Sequence, residues 1–137
     1  MNDEDCNEVA CGDQAAKRFL LTYFSLVHVF DDVYDKDKEV TDERLVKVML
    51  WWTEELLYNP WVREHSNALW SQIITGWNAW LDANVWAKQP NPKLFASDVI
   101  KSNYQEMTFL VAYICGGREH MRAMSTKYRE YNFEKGE

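Results

Sequence analysis

The sequence predicts an all-α fold, a single-domain bundle of four to five helices. Apolar residues recur at three- and four-residue intervals along most of the chain, and no segment shows the period-two alternation of a half-buried strand. The chain has 137 residues, 47% of them hydrophobic, including seven Trp, seven Tyr and six Phe. This is enough apolar material for one core, and it argues against disorder of the whole chain.

The first two helices are predicted from their start and stop signals. Helix one begins at Gly12-Asp13 and runs to about Lys38. Helix two is capped by Thr41 and ends before Asn59-Pro60, because a residue before proline disfavours helical backbone. Proline suits the first position of a helix, so a short helical turn should follow through Glu64.

Helix three is predicted to begin at Ser66 or Asn67 and to end near Trp86. The segment 88–97 follows it and contains two prolines. This composition is typical of a loop.

Helix four is predicted to start from a Ser97 cap and to end at Cys115-Gly116-Gly117, with helix five beginning near Arg118. Residues 1–12 contain five acidic residues and no Lys or Arg, which predicts a flexible acidic leader. Residues 13–137 then make up the single helical domain.

The charge of the chain excludes some classes of partner. The formal net charge is -7, but most of the excess lies in the leader, and the remainder is nearly neutral. A basic footprint for nucleic acid and an acidic DNA-mimic surface are both absent, so no direct nucleic-acid binding is expected.

Cysteine usage and hydropathy predict a cytoplasmic protein with no membrane segment. The three cysteines form no CxxC pair, which favours free thiols in a reducing compartment; a Cys6–Cys11 bridge or a metal-binding role for this pair remains the alternative. No basic n-region of a signal peptide opens the chain. The apolar run that ends at Phe30 is too short and too polar to span a bilayer.

An aspartate-rich segment, Asp31-Asp32-Val33-Tyr34-Asp35, ends helix one and suggests a metal site. At 100° per residue, Asp31 falls inside the apolar stripe of the helix, Asp35 lies at its edge and Asp32 points further toward solvent. His28 lies beside them and is the candidate acid or base. Mg²⁺ prefers carboxylate oxygens, so Asp31, Asp35 and Asp32 are its candidate ligands.

The start of helix five suggests a phosphate site. Gly116 and Gly117 precede the helix, and Arg118 and Arg122 share one of its flanks. Backbone N–H groups at a helix start and arginine side chains both bind phosphate oxygens. A bound Mg²⁺ would bridge Asp31 and the phosphate or diphosphate of a small molecule held here.

Two asparagines also fall within apolar stripes, Asn84 in helix three and Asn103 in helix four. A buried amide requires hydrogen-bond partners. We expect these side chains either to satisfy one another within the core or to orient a ligand.

The eight residues His28-Val29-Phe30-Asp31-Asp32-Val33-Tyr34-Asp35 resemble the first aspartate-rich motif of class I isoprenoid synthases. The resemblance implies an all-α fold in which this helix binds Mg²⁺ and a substrate diphosphate. It also implies metal-ligand roles for Asp31 and Asp35, with Asp32 in support.

A different interpretation treats the aspartates as a solvated helix end paired with Lys36 and Lys38. Trp51 and Trp86 fall on the polar sides of their helices, which indicates a partner contact or a homodimer. The sequence therefore favours a non-enzymatic interaction protein or an oligomeric adaptor or inhibitor.

The alternative is Mg²⁺-dependent binding or hydrolysis of a phosphorylated small molecule. It requires Asp31, Asp35 and Arg118 to line one pocket.

Overall fold

The computed structural model describes residues 1–36, 38–90 and 93–134 of the chain. Within these ranges there is no strand, so the all-α prediction is confirmed, although there are more helices than the four to five predicted. None of the described helices is both long and apolar enough to cross a membrane. The elements are α1 (Asp3–Val9), α2 (Gln14–Asp35), α3 (Asp42–Tyr58), α4 (Pro60–Glu64), α5 (Ser66–Trp86), α6 (Lys93–Lys101), a 3₁₀ helix (Ser102–Gln105) and α7 (Glu106–Glu134).

The acidic segment for which a flexible leader was predicted contains helix α1. Asn2 and Asp5 cap its start reciprocally, each side chain accepting a hydrogen bond from the other's backbone N–H. Cys6 and Val9 are completely buried. Cys6 and Val9 are the only buried residues of α1, and most of the other residues in this helix are acidic. The composition is therefore strongly acidic, and for this reason it indicated a flexible segment although the helix is amphipathic.

Ion pairs fasten α1 to the rest of the molecule. Asp3 pairs with Lys17 of α2 at 2.6 Å. The Glu8 carboxylate accepts hydrogen bonds from Lys127 at 2.7 Å and from the Tyr128 hydroxyl at 2.9 Å. These two bonds hold the pKa of Glu8 below its ordinary value. The acids of α1 therefore neutralise basic residues of α2 and α7.

Helix α2 begins as predicted and is the central helix of the fold. The Asp13 side chain caps it by accepting bonds from the backbone N–H groups of Ala15 and Ala16. Phe19 and Tyr23 are among its buried side chains. The helix ends at Asp35 rather than near Lys38, because Lys36 adopts a left-handed conformation with φ 58°.

Side-chain contacts give the directions of the helices around α2. Arg18 pairs with Glu55 and Asp32 with Arg44, so α3 runs antiparallel to α2. Helix α5 runs parallel to α2, because Phe30 contacts Trp77 and the later residue Tyr34 contacts Trp80. Consequently α3 and α5 are antiparallel to each other.

Both predicted caps around α3 and α4 are confirmed. The Thr41 hydroxyl accepts a bond from Arg44 N–H, and the Asn59 side chain accepts bonds from the first N–H groups of α4. Asn59 is buried and also donates to Glu55 at 2.6 Å and to the Ala15 carbonyl at 2.9 Å. This one side chain therefore joins α2, α3 and α4.

The prediction for the segment 88–97 is wrong in part. Helix α6 already begins at Lys93, and Ser97 lies inside that helix instead of capping it. Residues 91–92 lie outside the described residues. The predicted fourth helix is divided between α6, the 3₁₀ helix and α7. The predicted break at the glycine pair is confirmed, because Gly117 has φ 84° and interrupts α7.

Candidate functional site

The aspartate-rich segment forms a polar cluster with α5 and α6, which we call the Asp31 cluster (Asp31, Asp35, Trp80 and Lys101). The Trp80 indole N–H donates to Asp31 Oδ1 at 2.6 Å. Lys101 Nζ lies 3.3 Å from Asp31 Oδ1 and 3.7 Å from Asp35 Oδ2. The inward orientation predicted for Asp31 is therefore confirmed, since its side chain is only 20% exposed.

Asp32 is held separately by α3. Arg44 Nη1 donates to Asp32 Oδ2 at 2.8 Å, and the Asp32 side chain is 19% exposed. The prediction that Asp32 points further toward solvent than Asp31 is therefore wrong. The paired cations are Arg44 and Lys101, which are distant in sequence, rather than the predicted neighbours Lys36 and Lys38.

The carboxylates of Asp31 and Asp35 stabilise the charged form of Lys101. Burial alone would lower the pKa of Lys101, but the neighbouring carboxylates of Asp31 and Asp35 outweigh it and raise the pKa above its ordinary value. An ammonium group therefore occupies the position between the two carboxylates where a Mg²⁺ ion was predicted. In the described part of the chain, no group of three or more His, Cys, Asp or Glu side chains is arranged to hold a metal ion.

The predicted phosphate site lies at the other end of α2. Gly116 packs against the Cys11 sulfur, just before the start of α2, and Arg118 and Arg122 are exposed. From Asp13 to Asp31 the helix rises about 27 Å at 1.5 Å per residue. The structure therefore does not bring the Gly116-Gly117-Arg118 segment together with Asp31 and Asp35, and a Mg²⁺ ion cannot bridge them.

The remaining predicted polar residues also do not converge on one site. His28 is exposed on α2. Asn103 is half-buried and accepts from the Gln72 side-chain amide at 3.4 Å through its backbone carbonyl. Asn84 is 5% exposed, as its place in the stripe predicted, but its Nδ2 has no hydrogen-bond partner. The Asn84 side-chain nitrogen therefore does not donate a hydrogen bond to Asn103.

The most extensive unusual feature is an apolar surface that the sequence analysis missed. Helix α3 carries apolar residues at helical spacing, Leu45 and Met49 among them, but only Val48 of these is fully buried. The α3–α5 face comprises two rows of residues, one on each helix: Leu45, Met49, Trp52 and Leu56 on α3, and Trp70, Ile74, Trp77 and Leu81 on α5.

The two rows have identical spacing, with intervals of four, three and four residues. Trp52 and Trp77 both pack against the small cluster of Leu26, Val29 and Val48, so the rows lie on either side of α2. The residues farther out are strongly exposed, with Ile74 at 69% and Leu81 at 55%. Intervals of four and three are typical of the seam between packed helices.

Further exposed apolar residues extend the α3–α5 face. On α3, Val46, Leu50 and Leu57 are each more than half exposed, and on α5 Val85 is 58% exposed. Apolar residues thus cover a wide arc of α3, wider than a helix on a protein surface needs for one buried stripe. This width is a sequence signal that could have identified the face.

The two tryptophans predicted to contact a partner differ in environment. Trp51 is 45% exposed, with the Lys47 ammonium 4.7 Å from its ring. Trp86 is half-buried, with Lys93 over its ring at 5.6 Å. Both rings lie against lysines, so neither forms part of the uncharged α3–α5 face.

Comparisons of this chain with protein-family models, with curated proteins and with solved structures find no match. The resemblance of residues 28–35 to an isoprenoid synthase motif thus stays a prediction from eight residues.

Proposed function

We propose that this protein is a non-enzymatic, self-associating interaction protein that binds a second copy of itself through the α3–α5 face. The observation that supports the proposal is the pair of apolar rows with identical spacing on α3 and α5, the helices on either side of α2. A soluble monomer seldom leaves an apolar surface of this extent uncovered. The face runs along about 17 Å of α3, from Leu45 to Leu56, at 1.5 Å per residue.

Covering this face would release a substantial free energy. Complete burial of one exposed Leu, Ile or Met side chain contributes about 1.5–3 kcal/mol relative to its exposure to water. Ile74, Leu81 and Leu50 are each at least 55% exposed in the monomer. Most of the free energy of burying these side chains is therefore gained only when the face is covered. Two copies would each bury several such side chains, a gain of the same order as the association cost of about 4–15 kcal/mol.

A second copy is the occupant that the surrounding residues favour. The two rows contain no charged residue, and the neighbouring exposed positions on α5 are the neutral Asn67, Ser71 and Asn78, with one charge, Asp82, outside the rows at the end of this series. Two identical faces therefore meet without like charges opposing each other, even though the chain carries a net charge of -7. Antiparallel α3 and α5 from each copy would form a four-helix layer related by a two-fold axis.

The proposal is tested by measuring molar mass with light scattering after size-exclusion chromatography. The wild-type chain should elute with twice the monomer mass of 16.3 kDa. Ile74→Glu places a charge in the middle of the face and should give a folded monomer. Val99→Glu is the matched control, because Val99 is 74% exposed but belongs to α6, so this variant should remain dimeric.

Two results would overturn the proposal. One is a wild-type protein that has the monomer mass at every concentration tested. The other is loss of the dimer by Val99→Glu and Ile74→Glu to the same extent, which would show that the α3–α5 face is not the surface involved.

A further inference from the structure

Two of the three cysteines share a surface pocket at the end of the molecule opposite the Asp31 cluster. Cys11 and Cys115 both line this pocket, which has a volume of about 480 Å³, together with Asp13, Trp61 and His65. All three cysteines are free thiols, and Cys6 is completely buried in the core. Cys11 and Cys115 thus line one pocket, and Cys6 does not.

The backbone holds the Cys11 thiol directly against α7. Cys11 has a left-handed conformation with φ 51°, which is uncommon for a residue other than glycine. A β-carbon at Gly116 would lie 2.7 Å from the Cys11 sulfur and 2.5 Å from the His120 ring, so the close approach requires glycine there. Given standard backbone dimensions, the Cys11 sulfur lies within about 8 Å of Cys115 Cα.

A glycine lies close to each thiol, and its backbone would have to adjust for the Cys11 and Cys115 sulfurs to meet. Gly12 follows Cys11 with φ 79°, and Gly117 interrupts α7 two residues after Cys115 with φ 84°. Glycine tolerates changes of backbone conformation that other residues resist. A disulfide needs the two Cα atoms about 4.4–6.8 Å apart, and Gly12 and Gly117 are the residues nearest the two thiols whose backbone would have to adjust to reach that distance.

The two thiols differ in accessibility. Cys11 is exposed, so a dissolved oxidant reaches it directly. Cys115 is half-buried, and burial followed by the nearby Asp13 and Cys11 raises the pKa of its thiol to about 11. Cys11 is therefore the thiol that reacts first, and Cys115 is the thiol that resolves the product.

We propose that Cys11 and Cys115 form a redox-modification site that a low-molecular-weight disulfide, such as glutathione disulfide, converts to an intramolecular disulfide. The Cys11 thiolate attacks one sulfur of glutathione disulfide, which forms a mixed disulfide and releases one glutathione thiolate. The Cys115 thiol loses its proton to solvent and attacks the Cys11 sulfur, which releases the second glutathione. The protein loses two electrons and two protons, and one glutathione disulfide becomes two glutathione molecules.

The new bond would join the turn between α1 and α2 to α7 and close a loop of about 100 residues. A cross-link across a loop of this length restricts the unfolded chain strongly. The oxidised protein should therefore melt at a higher temperature than the reduced protein, and dithiothreitol should reverse the change.

The test is incubation of the whole protein with glutathione disulfide, followed by alkylation of the remaining thiols under denaturing conditions and peptide mass spectrometry. The expected product is a Cys11–Cys115 cross-linked peptide, with Cys6 recovered in alkylated form. Cys115→Ser should stop at a stable glutathione adduct on Cys11, whereas Cys6→Ser, the control, should still give the cross-link.

Several results would overturn the proposal, and the wild-type peptide map detects each one even where a variant folds poorly. They are a persistent glutathione adduct on wild-type Cys11, a cross-link that involves Cys6, a disulfide between two chains, and no reaction. This site does not include the α3–α5 face, so its failure leaves the proposed self-association untouched.

Discussion

The Trp80 indole nitrogen donates a hydrogen bond of 2.6 Å to the Asp31 carboxylate and so joins α5 to α2. Trp80 itself is 8% exposed. Trp80→Phe keeps most of the ring packing but removes the donor, which leaves a sheltered carboxylate with one partner fewer. We expect this substitution to lower the free energy of unfolding by about 1–3 kcal/mol. Chemical denaturation measures it, with Trp51→Phe on the exposed side of α3 as a control that should change stability little.

The Lys101 ion pairs should give stability a distinct pH dependence. The pKa of Lys101 is raised in the folded protein above its ordinary value of 10.5. A raised pKa means that the folded state holds this proton more tightly, so the stabilisation is complete below pH 10.5 and declines as pH rises through the folded-state pKa. The free energies of unfolding of the wild type and of Lys101→Met should thus differ at pH 8 and become equal at strongly alkaline pH. Since the pair is partly exposed, the difference should be about 1 kcal/mol.

A difference in unfolding free energy between these two proteins that stays constant up to pH 11.5 would show that the Lys101 charge is not its source. It would indicate that the aliphatic part of Lys101, and not its charge, contributes the stability.

The buried amide of Asn84 should be replaceable. Its Nδ2 has no hydrogen-bond partner although the residue is 5% exposed. A buried donor without an acceptor costs about 1–3 kcal/mol. Asn84→Leu keeps the branching at Cγ and removes the unpaired donor, so we expect equal or higher thermal stability. A fall in melting temperature of several degrees would instead show that the amide is needed where it lies.

Magnesium should not stabilise the folded protein through the aspartate-rich segment. Lys101 and Arg44 already form ion pairs with the three carboxylates, and the nearest predicted phosphate ligands lie about 27 Å away along α2. Thermal melting with Mg²⁺ and inorganic diphosphate should therefore match melting without them. A rise in melting temperature that Asp31→Asn abolishes would restore the metal-binding interpretation.

The sequence predicted the elements that depend on local chemistry. The caps at Asp13, Thr41 and Asn59 and the break at Gly117 each follow from the preferences of one or two residues. The inward position of Asp31 also follows from helical periodicity alone. These features need no knowledge of which helices pack together.

The partners of Asp31 and Asp32 could not be predicted in the same way. Lys101 and Arg44 reach the carboxylates only because α6 and α3 pack beside the end of α2. Periodicity shows that a face is apolar, but it does not show whether another helix of the same chain covers it. For this reason the helical spacing of Leu45 and Met49 could not show that these side chains are 36% and 40% exposed.

Two copies of the chain should associate through the α3–α5 face into a closed pair. Sedimentation equilibrium of the wild-type protein over a wide concentration range tests it most directly. We predict a single equilibrium between the 16.3 kDa chain and a species of twice that mass, with no larger species at high concentration. A mass that stays at 16.3 kDa throughout, or one that rises without limit as concentration increases, would show that the α3–α5 face does not form a closed pair.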